Sequence, residues 1–400
     1  MSIGQTNDNP VFTFGIWAVL GVVIGLGIYF IFLSAPAPPV VPGSNINLTP
    51  VVPTTPVSTV IPVTAYLLTQ ANCLGCNASE YLLDSLISAE SQFNFNITKK
   101  VLTGNSSEAQ SLISKYKITK LPVMLVSPSA ANSSEFESAW TGRLGTKETD
   151  GMYVYRNVYP PYYDSSLGKS VGYVDAYHIV PTSCTNCSNT TEFTKFLVSD
   201  QVMMVLNSET MLSQNSSKAQ EFILKYNITK LPTLLLNPDA TYYPIINASW
   251  NTSGTFEKDG WLVYRNILPP YLDLTTNQTR GLINVVALVD GTCGSCYNVT
   301  SYLESLATNF YLQFANTTTY DINSTNGKLL IARYNITAVP TFLFSEETKL
   351  YANLGSLWTQ SGNTIESDGW FVFRTLDNLG STYKNLTTGN LTTGNVTVSS

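Results

Sequence analysis

Charge is scarce in this 400-residue chain, and histidine is almost absent. Only 12% of the residues are charged, and the formal net charge is −6; the usual charged share is about 25%. No cluster of lysine or arginine forms a basic patch, which excludes nucleic acid as a partner. The one histidine, His178, lies in a predicted core strand, where we interpret it as a structural residue. The histidine therefore gives no indication of a metal site, and we predict none.

No charged residue interrupts the apolar run from Val11 to Leu33. As a helix, these residues would span the hydrocarbon core of a bilayer. The run is longer than the apolar part of a cleaved signal, so we predict a short N-terminal tail over 1–10 and an uncleaved transmembrane helix over 11–34. Gly21 and Gly25 form a G-x-x-x-G face that would allow self-association, although small residues are common in membrane helices for other reasons.

No cysteine is left over, because all six fall into three C-x-x-C pairs: Cys73 with Cys76, Cys184 with Cys187, and Cys293 with Cys296. Complete pairing favours an oxidising, extracytoplasmic space. A zinc ribbon needs two pairs separated by roughly 12 to 20 residues, and these pairs lie much farther apart. Covalent haem attachment is also excluded, since histidine follows none of the pairs.

The cysteine pairs mark three copies of one ordered pattern. Each copy has an apolar strand, the C-x-x-C, a helix, a second strand and helix, and a proline about 48 residues after the first cysteine. Solenoid repeats are only roughly 20 to 50 residues long, so this longer period indicates whole domains. We predict a proline-rich linker over 35–61, domains over 62–166, 167–275 and 276–377, and a disordered Thr/Asn/Gly-rich tail over 378–400.

The residues around the three prolines resemble the thioredoxin superfamily. The pattern Tyr-x-Ile-Thr-x-x-Pro occurs at 116–122, 226–232 and 334–340, each time before a strong strand. The resemblance implies an α/β fold of three tandem thioredoxin-like domains, each a central mixed sheet flanked by helices, behind the transmembrane helix. In plan, the chain is similar to multi-domain protein disulfide isomerases, which need no cofactor.

The resemblance also implies a role for each proline. In this family the proline is cis and faces the cysteine pair, which applies here to Pro122, Pro232 and Pro340. The residue before each proline would have backbone groups free to bind an extended peptide. The implied substrate-binding residues are therefore Leu121, Pro122, Leu231, Pro232, Val339 and Pro340.

The cysteines are the implied catalytic residues. The sequence places the first cysteine of each pair at a strand-to-helix junction, where the helix dipole would lower the thiol pKa. By resemblance, Cys73, Cys184 and Cys293 are the nucleophiles, and Cys76, Cys187 and Cys296 resolve the mixed disulfide. The dipeptides inside the pairs differ from one another, so we expect three different redox strengths.

Asparagines in the N-x-[ST] glycan-acceptor pattern are more frequent than the seven or so expected by chance. The excess indicates a heavily glycosylated exterior, although an Asn/Thr-rich composition would also cluster such patterns. Asn186 fits the pattern within a cysteine pair. The other predicted acceptors are Asn47, Asn77, Asn96, Asn105, Asn132, Asn189, Asn215, Asn227, Asn247, Asn251, Asn277, Asn298, Asn316, Asn323, Asn335, Asn385, Asn390 and Asn395.

Each copy also carries a tryptophan followed by an Asp-Gly turn between apolar strands. We interpret this element as core packing, with a docking surface built on the tryptophan and a nearby arginine as the alternative. The tryptophans are Trp140, Trp250 and Trp358, and the turns are Asp150-Gly151, Asp259-Gly260 and Asp368-Gly369.

Two functions are consistent with these patterns. The first is a thiol–disulfide oxidoreductase or isomerase, anchored in the cell membrane by a single span with its C-terminal domains outside the cytoplasm. Its partners would be exported cysteine-containing proteins, or a membrane protein that donates or accepts electrons. The second is a non-catalytic, glycosylated cell-surface protein that is structural or binds clients, and whose disulfides are structural.

Overall fold

The computed structural model describes residues 60–394 except 72, 141, 142, 185 and 353. The predicted N-terminal tail, the transmembrane helix with Gly21 and Gly25, and almost all of the linker lie outside the described residues. Among the helices that are described, none is long and apolar enough to cross a membrane. The described residues divide into two compact units, one of residues 60–176, 192–210 and 235–262, the other of 177–191, 211–234 and 263–394. The division passes through the middle copy of the repeat.

The described part of the first repeat contains eight strands, four α-helices and one 3₁₀ helix. The strands are β1 (Ile61–Thr69), β2 (Phe95–Thr103), β3 (Lys120–Leu121), β4 (Val123–Val126), β5 (Gly145–Lys147), β6 (Tyr153–Tyr155), β7 (Tyr162–Asp164) and β8 (Lys169–Val171). The helices are α1 (Ala78–Ser88), α2 (Glu90–Phe93), α3 (Ser107–Lys115), η1 (Pro128–Asn132) and α4 (Ser134–Trp140).

The second repeat follows the same plan. Its strands are β9 (Tyr173–Val180), β10 (Val205–Ser213), β11 (Lys230–Leu231), β12 (Thr233–Leu236), β13 (Gly254–Phe256), β14 (Leu262–Tyr264), β15 (Tyr271–Asp273) and β16 (Gln278–Arg280). Its helices are α5 (Thr191–Val198), α6 (Ser217–Lys225), η2 (Pro238–Tyr242), α7 (Pro244–Ser249) and η3 (Trp250–Thr252).

The third repeat completes the series. Its strands are β17 (Leu282–Val289), β18 (Gln313–Asp321), β19 (Ala338–Val339), β20 (Thr341–Phe344), β21 (Thr364–Ile365), β22 (Phe371–Val372), β23 (Thr382–Asn385) and β24 (Leu391–Thr393). Its helices are α8 (Val299–Phe310), α9 (Thr325–Tyr334), η4 (Glu346–Leu350), α10 (Leu354–Gln360) and η5 (Leu376–Leu379).

The large sheets share one strand order, β2-β1-β4-β6-β5, β10-β9-β12-β14-β13 and β18-β17-β20-β22-β21. In the first repeat, β1 pairs parallel with β2 and antiparallel with β4, the strand after the proline. In the third repeat, β17 pairs in the same way with β18 and β20. Strands β4, β12 and β20 are buried at every residue, as expected of central strands covered on both faces. In the first and third repeats the sheet is therefore mixed, as the sequence predicted.

The turn and tryptophan elements are core features. Gly151, Gly260 and Gly369 have positive φ angles, which confirms the predicted Asp-Gly turns. The tryptophans Trp140, Trp250 and Trp358 are buried. Their burial confirms the packing interpretation and excludes a docking surface that would need these side chains at the protein surface.

A hairpin closes each repeat, and the prediction of a disordered tail over 378–400 is wrong for the part that the structure describes. Strand β23 pairs with both β19 and β24, just as β7 pairs with β3 and β8, and β15 with β11 and β16. The side chain of Asn385 accepts hydrogen bonds from the N–H groups of Thr387 and Thr388, at 2.9 and 3.1 Å, which fixes the turn. The predicted domain boundaries at 166/167 and 275/276 each fall within such a hairpin, and the one at 377/378 precedes it.

A glycine joins each of the first two hairpins to the next repeat. Gly172 has a φ of 90°, and an added Cβ would lie 2.6 Å from the Cβ of Pro160. Its N–H donates to Asp239 Oδ2 at 3.0 Å, and its carbonyl accepts from the Tyr243 hydroxyl at 2.7 Å. We call this arrangement the joint.

The second joint repeats these contacts. The N–H of Gly281 donates to Glu347, and its carbonyl accepts from the Tyr351 hydroxyl at 2.8 Å. Arg280 adds an ion pair with Glu347, with Nη2 2.8 Å from Oε1. Both joints are therefore fixed by hydrogen bonds to the backbone rather than left as open hinges.

Tyr243→Phe should destabilise the protein by about 1–3 kcal/mol. The fully buried hydroxyl donates to Gly172 and accepts from the N–H of Val205 at 2.9 Å, so its loss leaves two backbone groups without their partner. Urea unfolding of the full chain would measure the change. Tyr242→Phe is the matched control, because the ring of Tyr242 is only partly buried; equal effects of the two substitutions would contradict the prediction.

Candidate functional site

All six cysteines form disulfides within their own pairs. The Cα atoms of each pair are 5.5 Å apart, and the described chain has no free cysteine. The cysteines are half-buried, while the described residues between them are exposed. Leu74 is the extreme case, because 85% of this large apolar side chain is accessible to solvent.

Each cysteine pair lies at the predicted strand-to-helix junction, before the helix and not in its first turn. Helix α1 begins at Ala78, five residues after Cys73. In the third repeat, α8 begins at Val299, and its N-cap Asn298 accepts the N–H of Thr300 at 2.9 Å. An asparagine that caps a helix this way sets its start, so the cysteines occupy the preceding turn. The N–H groups of the helix end are therefore not the direct partners of the sulfurs.

The first pair has hydroxyl neighbours. Ser170, on β8, donates to Cys73 Sγ at 3.6 Å. The Tyr173 hydroxyl oxygen lies 3.8 Å from Cys73 Sγ and 3.7 Å from Cys76 Sγ, and it donates to the carbonyl of Leu74 at 2.5 Å. Because that bond uses the one phenolic proton, Ser170 is the donor to sulfur and Tyr173 covers the disulfide. Burial raises the pKa of Tyr173 above its ordinary value.

The three prolines are cis, as predicted. The bonds are Leu121-Pro122, Leu231-Pro232 and Val339-Pro340. In the first repeat, buried Ser79 donates to the carbonyl of Pro122 at 2.7 Å. In the third, Tyr297 donates to the carbonyl of Pro340 at 2.9 Å. Both donors closely follow the cysteine pair, so the chain after the pair meets the proline segment in these two repeats.

His178 is a structural residue, as the sequence indicated. Its side chain is fully buried, and Nδ1 lies 2.7 Å from the hydroxyl of Thr190, which is also buried. Within the described residues, no group of three or more His, Cys, Asp and Glu side chains could hold a metal ion.

The backbone before each proline is already paired, contrary to the expectation that it is free for a peptide. Leu121 lies opposite Tyr163 of β7, Leu231 opposite Leu272 of β15, and Val339 opposite Lys384 of β23. In the first repeat, Tyr163 in turn lies opposite Ser170, the residue that donates to Cys73. The hairpin thus takes the position that the resemblance assigns to an extended substrate.

The third repeat adds an ion pair that sequence reasoning missed. Asp290 lies three residues before Cys293, and only 1% of its side chain is exposed. Its Oδ2 accepts from Lys384 Nζ at 2.5 Å, and its Oδ1 accepts from the N–H and hydroxyl of Thr292, at 2.9 and 2.6 Å. The hydrogen bond from Lys384 is the main cause that lowers the pKa of Asp290 to about 2.

This ion pair is specific to the third repeat. The positions that correspond to Asp290 hold Gln70 and Pro181, and those that correspond to Lys384 hold Tyr163 and Leu272. A carboxylate directly after a core strand, in a chain with so little charge, was the signal in the sequence that could have identified it.

The predicted glycan acceptors lie at the surface wherever they are described. Asn47 and Asn395 lie outside the described residues. Asn385 is half-buried, and each of the remaining asparagines in the pattern is exposed. Exposure satisfies the steric requirement for glycan attachment and leaves glycosylation a prediction.

No protein-family model and no curated protein matches the sequence. Among solved structures, ERdj5 aligns with 11% identity over 75% of this chain, a TM-score of 0.15, and only 40% of the ERdj5 chain covered. Human ERp44 aligns with 10% identity over 72% of this chain and 79% of its own, TM-score 0.14. The alkylhydroperoxide reductase subunit AhpF of Enterococcus faecalis aligns with 15% identity over 43% of this chain and 81% of its own, with a TM-score of 0.13. At these scores the fold assignment rests on the strand order and not on the alignments.

Ser170→Ala should lower the reactivity of Cys73 in the reduced protein. A hydroxyl that donates to a thiolate stabilises it, so its removal should raise the pKa of the Cys73 thiol by about one unit and slow alkylation near pH 7 roughly tenfold. Mass spectrometry of pulse-alkylated protein would give the rate for each pair. Ser166→Ala, in the turn of the same hairpin, is the control; an unchanged Cys73 rate in the Ser170 variant would contradict the assignment.

The ion pair of Asp290 should make the third repeat sensitive to acid. A carboxylate whose folded pKa is lowered from 3.8 to about 2 contributes stability above pH 4, and this contribution is lost as the pH falls toward 2. The Tm of the unaltered protein should therefore fall more steeply between pH 5 and 2 than that of Lys384→Met. Other carboxylates titrate in both proteins, so the difference between the curves reports Asp290, and parallel curves would rule its contribution out.

Proposed function

We propose that this chain is a thiol–disulfide oxidoreductase whose C-x-x-C pairs exchange electrons with cysteines of exported proteins. The observation that carries the proposal is the first pair, where a half-buried disulfide flanked by the exposed Leu74 has a hydroxyl donor aimed at Cys73 Sγ. Such a donor favours a thiolate at this sulfur, which is the form that attacks or leaves in exchange.

In their disulfide form, the pairs can oxidise the thiols of a client protein. A client thiolate attacks one sulfur of the pair, the disulfide breaks, and a mixed disulfide forms. A second client thiolate then attacks the client sulfur of that bond, which leaves the client oxidised and the pair as two thiols. Two electrons and two protons pass from client to pair, and a membrane protein that accepts electrons would restore the disulfide. Each step runs in reverse when a reductant supplies the pair.

The proposed setting is the outer face of a cell membrane. The apolar run at 11–33 would anchor the chain, the proline-rich linker would hold the repeats away from the bilayer, and the acceptor asparagines would carry glycans. The complete pairing of the cysteines supports an oxidising compartment.

A second function is favoured by one specific observation. The backbone before each proline is paired with the chain's own hairpin in all three repeats, which leaves that edge closed to a client. In this alternative, the protein is a glycosylated surface protein that is structural or binds clients elsewhere, and the disulfides only stabilise its loops.

Redox potentials measured pair by pair separate the two functions. Equilibration of the full-length protein with dithiothreitol or glutathione, followed by alkylation and mass spectrometry, should place at least the first pair between about −120 and −270 mV. Reduction of insulin should then fall when Cys73 is changed to Ser, with Cys184→Ser and Cys293→Ser as matched variants. Potentials below about −300 mV in all three pairs, together with no turnover, would establish the structural role instead.

A further inference from the structure

The three hairpins are held in different ways. Hairpins β7–β8 and β15–β16 run directly into the joints, where Gly172 and Gly281 are bound through both N–H and C=O by the next repeat. The corresponding glycine after β24, Gly394, has its N–H bonded to Ser381 O at 3.1 Å, beside its own hairpin. Displacement of either of the first two hairpins would break a joint, whereas β23–β24 takes part in no joint within the described residues.

Side-chain contacts hold the third hairpin in place. Lys384 lies opposite Val339 in the strand register. Its side chain donates to the buried carboxylate of Asp290, three residues before Cys293. The neighbouring Tyr383 is buried in the core and donates to Asp377 at 2.5 Å. The hairpin therefore presents an aromatic residue followed by a basic one to this edge.

We propose that a client segment can displace β23–β24 from the edge beside Val339. In this proposal the third repeat binds an extended segment that has a lysine or arginine opposite Val339. This inference rests on the proposed function for the identity of the occupant, an extended stretch of a client protein. Main-chain bonds to Val339 would hold any such segment, so the side chain opposite Val339 decides which segments bind.

Asp290 supplies the selectivity. When a strand covers this carboxylate with an apolar side chain, the charge is buried without a counter-ion, whereas a lysine or arginine pairs with it. The other two repeats have Gln70 and Pro181 at this position, so they provide no equivalent charge. Selection for a basic residue is thus confined to the repeat whose hairpin can be released.

Hydrogen exchange on the unaltered full-length protein tests the release. Amides of β23 and β24 should exchange faster than those of β7–β8 and β15–β16, because the joints restrain only the first two hairpins. Equal or slower exchange in the third hairpin would overturn the proposal without any substitution.

Binding of a labelled peptide tests the selectivity. The probe has the sequence of residues 381–393, and a second probe has methionine in place of its lysine. In the Lys384→Met protein, whose own hairpin is weakened, the lysine peptide should bind at least about tenfold more tightly than the methionine peptide. Adding Asp290→Asn should bring the two affinities together. Lys328→Met, which alters an exposed lysine on α9, should leave the edge closed to both peptides.

The outcomes also separate this inference from the proposed function. Equal affinities of the two peptides for the Lys384→Met protein, or no binding of the lysine peptide, overturn the inference even if insulin is reduced. Selective binding without turnover or accessible redox potentials overturns the oxidoreductase and leaves a peptide-binding edge.

Discussion

The structure depends on backbone pairing at the residue before each cis-proline. That residue lies in a strand of only two residues, β3, β11 or β19, and its partner is always the first strand of the closing hairpin. An isolated two-residue strand would be unstable, so the hairpin is what makes it part of a sheet. In the first repeat, the same hairpin carries Ser170 to Cys73, and backbone pairing thereby determines which groups surround the disulfide.

Much of this could be predicted from sequence, because the strong signals are local. Apolar strands, the three prolines and the Asp-Gly turns can each be recognised within a few residues, and their recurrence in one order predicts three α/β repeats. The start of a helix is less visible. Asn298 fits a glycan-acceptor pattern and a helix cap equally well, and only the cap explains why α8 begins after the cysteines.

The closing hairpins could not be predicted with the same ease, because composition conceals their pattern. Around Asn385, repeated Thr, Asn and Gly are typical of disorder, yet the same residues supply the turn that Asp164 and Asp273 supply in the other repeats. The shared signal is an aromatic residue two positions before an Asp or Asn: Tyr162, Tyr271 and Tyr383. The partner residue before each proline lies 41 to 45 residues earlier, so only the three-dimensional structure reveals the pairing.

The joint glycines show which side chains a repeat needs if it is to bind the repeat before it. Each added unit must bring an acidic residue in its 3₁₀ helix and a tyrosine directly after that helix, as Asp239 with Tyr243 and Glu347 with Tyr351 do. The first repeat has Ser129 and Ser133 at these two positions. The first repeat therefore has neither the carboxylate nor the phenol that binds the joint glycine in the second and third repeats.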